Sequence, residues 1–90
     1  MAAADISIEV FSAFGCNKCA RARTLVERVL KELGKASVDI SIIDVVEELD
    51  YAIELGVRAT PSIAINGELI FTALPSENDL RERLGFAFNL

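Results

Sequence analysis

From Ile6 the chain alternates, with apolar Ile6, Ile8 and Val10 separated by Ser7 and Glu9, the period of a strand that buries one face. A first strand is expected over 6–11. Further on, Ala22, Leu25, Val26, Val29, Leu30 and Leu33 recur at intervals of three and four, and Gly34 follows as a stop signal. That spacing predicts a helix over roughly 17–33. Val38, Ile40 and Ile42 then alternate with Asp39 and Ser41 as a second strand, and Val46, Leu49, Ala52 and Ile53 return to helical spacing up to Gly56.

Two short apolar runs, 62–65 and 69–72, flank Asn66-Gly67. Both turn residues tolerate positive φ, so the pair predicts a β-hairpin. The last element opens at Pro75-Ser76-Glu77-Asn78-Asp79, where Ser76 can cap a helix and Asp79 takes the acidic third position; Leu80 and Leu84 carry its apolar face to Gly85. The order β-α-β-α-β-β-α needs a parallel crossover followed by an antiparallel hairpin. An α/β fold is expected, with a four-stranded mixed sheet flanked by three helices on its two faces.

The 90 residues are the size of one small domain, and a hydrophobic share of 52% is enough for a core. Nine Lys and Arg against 14 Asp and Glu give a net charge of −5, which argues against a nucleic-acid partner because phosphate binding needs clustered cations. No apolar run approaches the roughly 18 residues of a membrane span, and the opening Met1-Ala2-Ala3-Ala4-Asp5 lacks the basic and apolar regions of a secretory signal. A cytoplasmic location with no membrane partner is the expectation.

Against that background the two cysteines stand out. Cys16 and Cys19 lie three residues apart, directly after the first strand and at the start of the first helix, and the chain has no histidine. The spacing can close a disulfide. A disulfide over so short a loop restricts the unfolded chain little, so reactivity explains the pair better than bracing. At a helix start the unpaired N–H groups and the positive dipole end favour a thiolate. Cys16, at the exposed edge with Lys18 beside it and Arg21 and Arg23 within two turns, fits the attacking thiolate; Cys19, one turn inward, fits the resolving thiol. Lys18 is the cation expected to favour the ionised form of Cys16. Arg21 and Arg23 read equally as a solvated helix face, and Arg23-Glu27 and Glu27-Lys31 as ordinary pairs one turn apart.

Cys16-Asn17-Lys18-Cys19 at a strand-to-helix junction, Gly56-Val57-Arg58-Ala59-Thr60-Pro61 before the hairpin and Asn66-Gly67 at its turn together resemble the thioredoxin and glutaredoxin superfamily, most closely its small glutaredoxin-sized members. The resemblance covers nearly the whole chain and implies one thioredoxin-like domain over 1–90 acting as a protein disulfide oxidoreductase. It implies a cis proline at Pro61 beside the disulfide, with Thr60 pairing to an extended substrate segment and Ala59 and Gly15, together with Phe14 and Ala73, forming the rim. Disulfide-containing proteins are the implied substrates, and a thioredoxin-reductase-like or other dithiol reductant the implied electron partner; no cofactor is implied, and a monomer is expected.

The chain departs from the pattern at three places. Phe14-Gly15 stands where a tryptophan usually precedes the first cysteine, and Val10 stands where larger thioredoxins carry a buried aspartate, so the acceptor of the Cys19 proton is unassigned. Ala73-Leu74-Pro75-Ser76-Glu77 replaces the Gly-Gly and acidic pair of glutathione-binding members. Two other functions compete with exchange: a zinc or iron–sulfur module sharing both cysteine pairs across a dimer, since one chain lacks four sulfur or nitrogen ligands, and a redox-inactive interaction domain. Tyr51 and Arg58 read as a helix-face aromatic and a loop charge, or as borders of a substrate groove, while Phe86, Phe88 and Leu90 either complete the core or form a partner patch.

Overall fold

The alternation at the start of the chain becomes β1 (Ile8–Ser12) in the computed structural model, which describes residues 6–90. The opening pentapeptide, read above for a secretory signal, lies outside the described residues. Ile8 and Val10 are buried on one face of β1 and Phe11 on the other, so the strand divides two apolar layers. On the Ile8 side, α1 (Asn17–Glu32) contributes Ala22, Val26, Val29 and Leu30, and α3 (Glu77–Ala87) contributes Leu80 and Leu84. On the Phe11 side, α2 (Leu49–Leu55) contributes Ala52. Helices therefore cover both faces, as the spacing predicts.

β2 (Ile40–Asp44) runs parallel to β1 with Ile8 opposite Ile40 and Ser12 opposite Asp44. Antiparallel pairing adds β3 (Ser62–Ile65) on the other side of β1, and β4 (Glu68–Phe71) beyond it, giving the order β2-β1-β3-β4. Asn66 and Gly67 both take positive φ, 54° and 78°, the turn that matches strand twist in a two-residue hairpin.

Several boundaries differ from those read in the sequence: β1 covers Ile8–Ser12 rather than 6–11 and β4 covers Glu68–Phe71 rather than 69–72, and three further shifts have a visible cause. β2 begins two residues late, because Val38 and Asp39 precede the register with β1 and Val38 packs sideways onto the core. α2 begins at Leu49 rather than near Val46, because the Asp44 carboxylate accepts the N–H groups of Val46 (2.8 Å) and Glu47 (3.1 Å) and holds the chain in a turn. α3 passes through Gly85 to Ala87, since Ala87 and Phe88 still pack against the core and keep the helix docked. Its start is as read: Ser76 Oγ accepts the N–H of Asp79 at 3.1 Å.

Candidate active site at the end of the central strand

Beyond Ser12 the chain turns sharply, with the N–H of Cys16 donating to the carbonyl of Ala13 at 3.1 Å and Gly15 at φ +81°. That backbone conformation is cheap only for glycine, so Gly15 is needed for the turn itself. Cys16 is the extended residue before α1, and Cys19 sits in its first turn, where its N–H reaches the Cys16 carbonyl at 3.4 Å. The two cysteines are joined as a disulfide, their Cα atoms 5.5 Å apart. They are not equivalent: Cys19 is 7% exposed, whereas Cys16 is partly open to solvent. The first turn of α1 carries no acidic residue to oppose a thiolate.

The sheet brings the second half of the site to the same place. Ser62 lies opposite Phe11, so the residues just before it, Thr60 and Pro61, fall beside the end of β1 where the disulfide begins; the bond between them is cis. Pro61 is buried, Thr60 partly buried and Ala59 exposed. Ser62 is a buried polar residue in an otherwise apolar strand, and its hydroxyl donates to the Ala59 carbonyl at 2.6 Å. That bond satisfies a group which would be costly to bury alone and ties the proline loop to β3. Ala13 and Thr60 border one hollow of about 270 Å³, with Val45, Leu49, Ile53 and Val57 as its apolar lining and Arg58 at its edge.

The remaining candidates are placed less tightly. Gly15 and Lys18 are exposed next to the disulfide, Phe14 is wholly exposed at 102%, and Ala73 is exposed in the β4–α3 connection. Phe88 packs against the core beneath the Lys35 ammonium, whereas Phe86 and Leu90 stay exposed.

Val10, at the place of the family's aspartate, is fully buried in the apolar layer under α1. Its neighbour Glu9 belongs to the opposite face and accepts the Tyr51 hydroxyl at 2.7 Å, while the Tyr51 ring packs on Phe11 with centroids 5.9 Å apart. The hydrogen bond to the Glu9 carboxylate, followed by partial burial, raises the Tyr51 pKa above the ordinary phenol range. Among the described residues no three His, Cys, Asp or Glu side chains converge as a metal-binding group.

Sequence reasoning missed Ser62, Glu9 and Asp44. A serine straight after Thr-Pro at the head of an apolar run was the available signal for the first. An Asp two and three residues before amides that need acceptors was the signal for the last. Glu9 and Tyr51 are 42 residues apart, and no local pattern connects them.

Comparison with known proteins agrees with this geometry. A family described as "Thioredoxin domain" matches residues 6–85. A probable thioredoxin of Methanothermobacter thermautotrophicus is 38% identical over 79 residues, covering 88% of this chain and 92% of that protein. A thioredoxin of Methanocaldococcus jannaschii is 35% identical with the same coverage of each. Among solved structures, a protein disulfide oxidoreductase from Aeropyrum pernix is similar with a TM-score of 0.75 and 28% identity, over 93% of this chain and 38% of that one. The matched span takes in the cysteine pair, the proline loop and the helices that frame them, and the chain therefore belongs to the thioredoxin family of thiol–disulfide oxidoreductases.

Proposed function

We propose that Cys16 is the attacking sulfur and Cys19 the resolving one in the reduction of protein disulfides. The observation that carries this division is the unequal exposure of the two bonded cysteines, Cys16 partly open and Cys19 7% exposed as residues. In the reduced protein the Cys16 thiolate displaces one sulfur of the substrate disulfide, forming a mixed disulfide and releasing a substrate thiolate that takes a proton. Cys19, losing its proton, then attacks the Cys16 sulfur, and the second substrate thiol leaves. Two electrons and two protons pass to the substrate, and the Cys16–Cys19 bond closes again. A dithiol reductant of the thioredoxin-reductase kind restores the starting state.

The substrate lies as an extended segment along the Thr60 edge, held by backbone hydrogen bonds in the manner of an added strand. Gly15, Ala59 and Pro61 leave room for its backbone, and the apolar hollow beside Thr60 takes a neighbouring side chain. Lys18, exposed two residues after Cys16, adds a modest electrostatic pull on the thiolate. In this reading residues 1–90 work as one domain and as a monomer in the cytoplasm. No helix among the described residues is long and apolar enough to cross a membrane.

Trapping with a disulfide-bearing protein tests the roles. A Cys19→Ser variant is expected to accumulate a mixed disulfide through Cys16 and a Cys16→Ser variant none; equal trapping by both would overturn the assignment.

A further inference from the structure

A second groove opens on the other side of the dithiol, between α1 and the β4–α3 connection. It measures about 410 Å³, with Leu25, Leu74 and Pro75 as its apolar walls and Arg21, Arg28 and Glu77 as its charged ones. Ala20 also borders it, one helical turn from Cys16 and on the same face, so the groove begins about 6 Å along the helix axis from the attacking position. Ala20, next to Cys19 in the chain, is the lining residue nearest the cysteine pair in sequence.

Its charges are not equally available. Arg28 is held by Glu77 at 3.1 Å, and Glu77 is also held by Arg81 at 2.8 Å. Arg21 makes no ion pair with any described residue. Residues 10–26 contain Lys18, Arg21 and Arg23 and no acid, on a chain whose net charge is −5. The opposite flank is reversed: Asp44 ends β2 and Glu47, Glu48, Asp50 and Glu54 follow it, with no Lys or Arg among residues 44–54. Because β2 and β4 are the two edges of the sheet, the dithiol sits between an acidic flank and a groove whose available charge is cationic.

We propose that this groove is a specificity subsite for the substrate polypeptide, in which Arg21 receives an acidic side chain close in sequence to the attacked cysteine. The proposal rests on Cys16 being the attacking sulfur. An extended chain advances about 3.3 Å per residue, so a segment leaving the Cys16 sulfur reaches Arg21 two to four positions from the reacting cysteine. Leu25, Leu74 and Pro75 accommodate the aliphatic stem, and the guanidinium meets the carboxylate. The acidic residues after β2 disfavour the same side chain on that flank, where Arg58 at the edge of the hollow is the one cation among the lining residues.

The test uses two peptide disulfides identical except for Glu or Gln three positions from the attacked cysteine, and reads the ratio of their kcat/KM values within each variant. That ratio cancels any general effect of a substitution on Cys16. The wild-type protein is expected to prefer the Glu peptide about threefold at low ionic strength, the scale of an exposed ion pair, with the preference shrinking at high salt. Arg21→Gln should bring the ratio to about one, and Arg21→Glu should invert it. A wild-type ratio of one, or a preference retained in Arg21→Gln, overturns the subsite while leaving exchange intact. Failure of the wild-type protein to reduce either peptide would instead overturn the exchange reading, and the subsite with it.

Discussion

Tyr51 and Glu9 show how one hydrogen bond ties a helix to the central strand. The phenol donates to a carboxylate at 2.7 Å, and its ring covers Phe11. Because the folded pKa of Tyr51 is raised, the bond stabilises the fold fully below the ordinary phenol range and is lost as pH rises through the folded value. Tyr51→Phe is therefore expected to cost about 1 kcal/mol at pH 7 by urea unfolding, with the difference vanishing at strongly alkaline pH. Tyr51 is the one tyrosine and there is no tryptophan, so its ultraviolet titration is clean. Glu9→Gln should lower the titration midpoint, and an unchanged midpoint would refute the pairing. At this scale the sequence was legible where chemistry is local, as in Cys16-Asn17-Lys18-Cys19. It was opaque where a side chain acts across the fold, as Glu9 does on Tyr51.

At the scale of elements, α1 and α3 are joined outside the core as well as within it. Arg81 on α3 bonds Glu32 at the end of α1 at 2.8 Å and Glu77 one turn back, and Glu77 also takes Arg28 of α1. The Arg81 hydrogen bond, reinforced by its charge, holds the Glu32 carboxyl below the usual range. A lowered carboxylate pKa stabilises above the unfolded value and ceases to do so as pH falls through the folded one. Arg81→Ala should thus lower the melting temperature at neutral pH, and the gap should close both in acid and in high salt. A gap that persists in acid would mean that packing rather than charge joins the helices.

Periodicity revealed all seven elements, but their ends depended on partners. Gly34 and Gly56, at φ +74° and +99°, stop their helices, whereas Gly85, with the same appearance in sequence, is carried through by the docking of Ala87 and Phe88. The capping serine at Ser76 was legible because its acceptor role needs only the next three residues.

Over the whole molecule, the two apolar layers meet at β1, which is hydrogen-bonded on both sides, to β2 and to β3. The cysteine pair hangs from the end of that strand, four residues past Ser12, and not from either edge of the sheet. The reactive pair is therefore carried by an interior strand, paired along both sides. Amide deuterium uptake should reflect this: Val10, Phe11 and Ile63 are expected to exchange only through global opening in both redox states, while the differences stay within 13–20 and the neighbouring proline loop. Such a corner can open and close while the body that carries it keeps its shape.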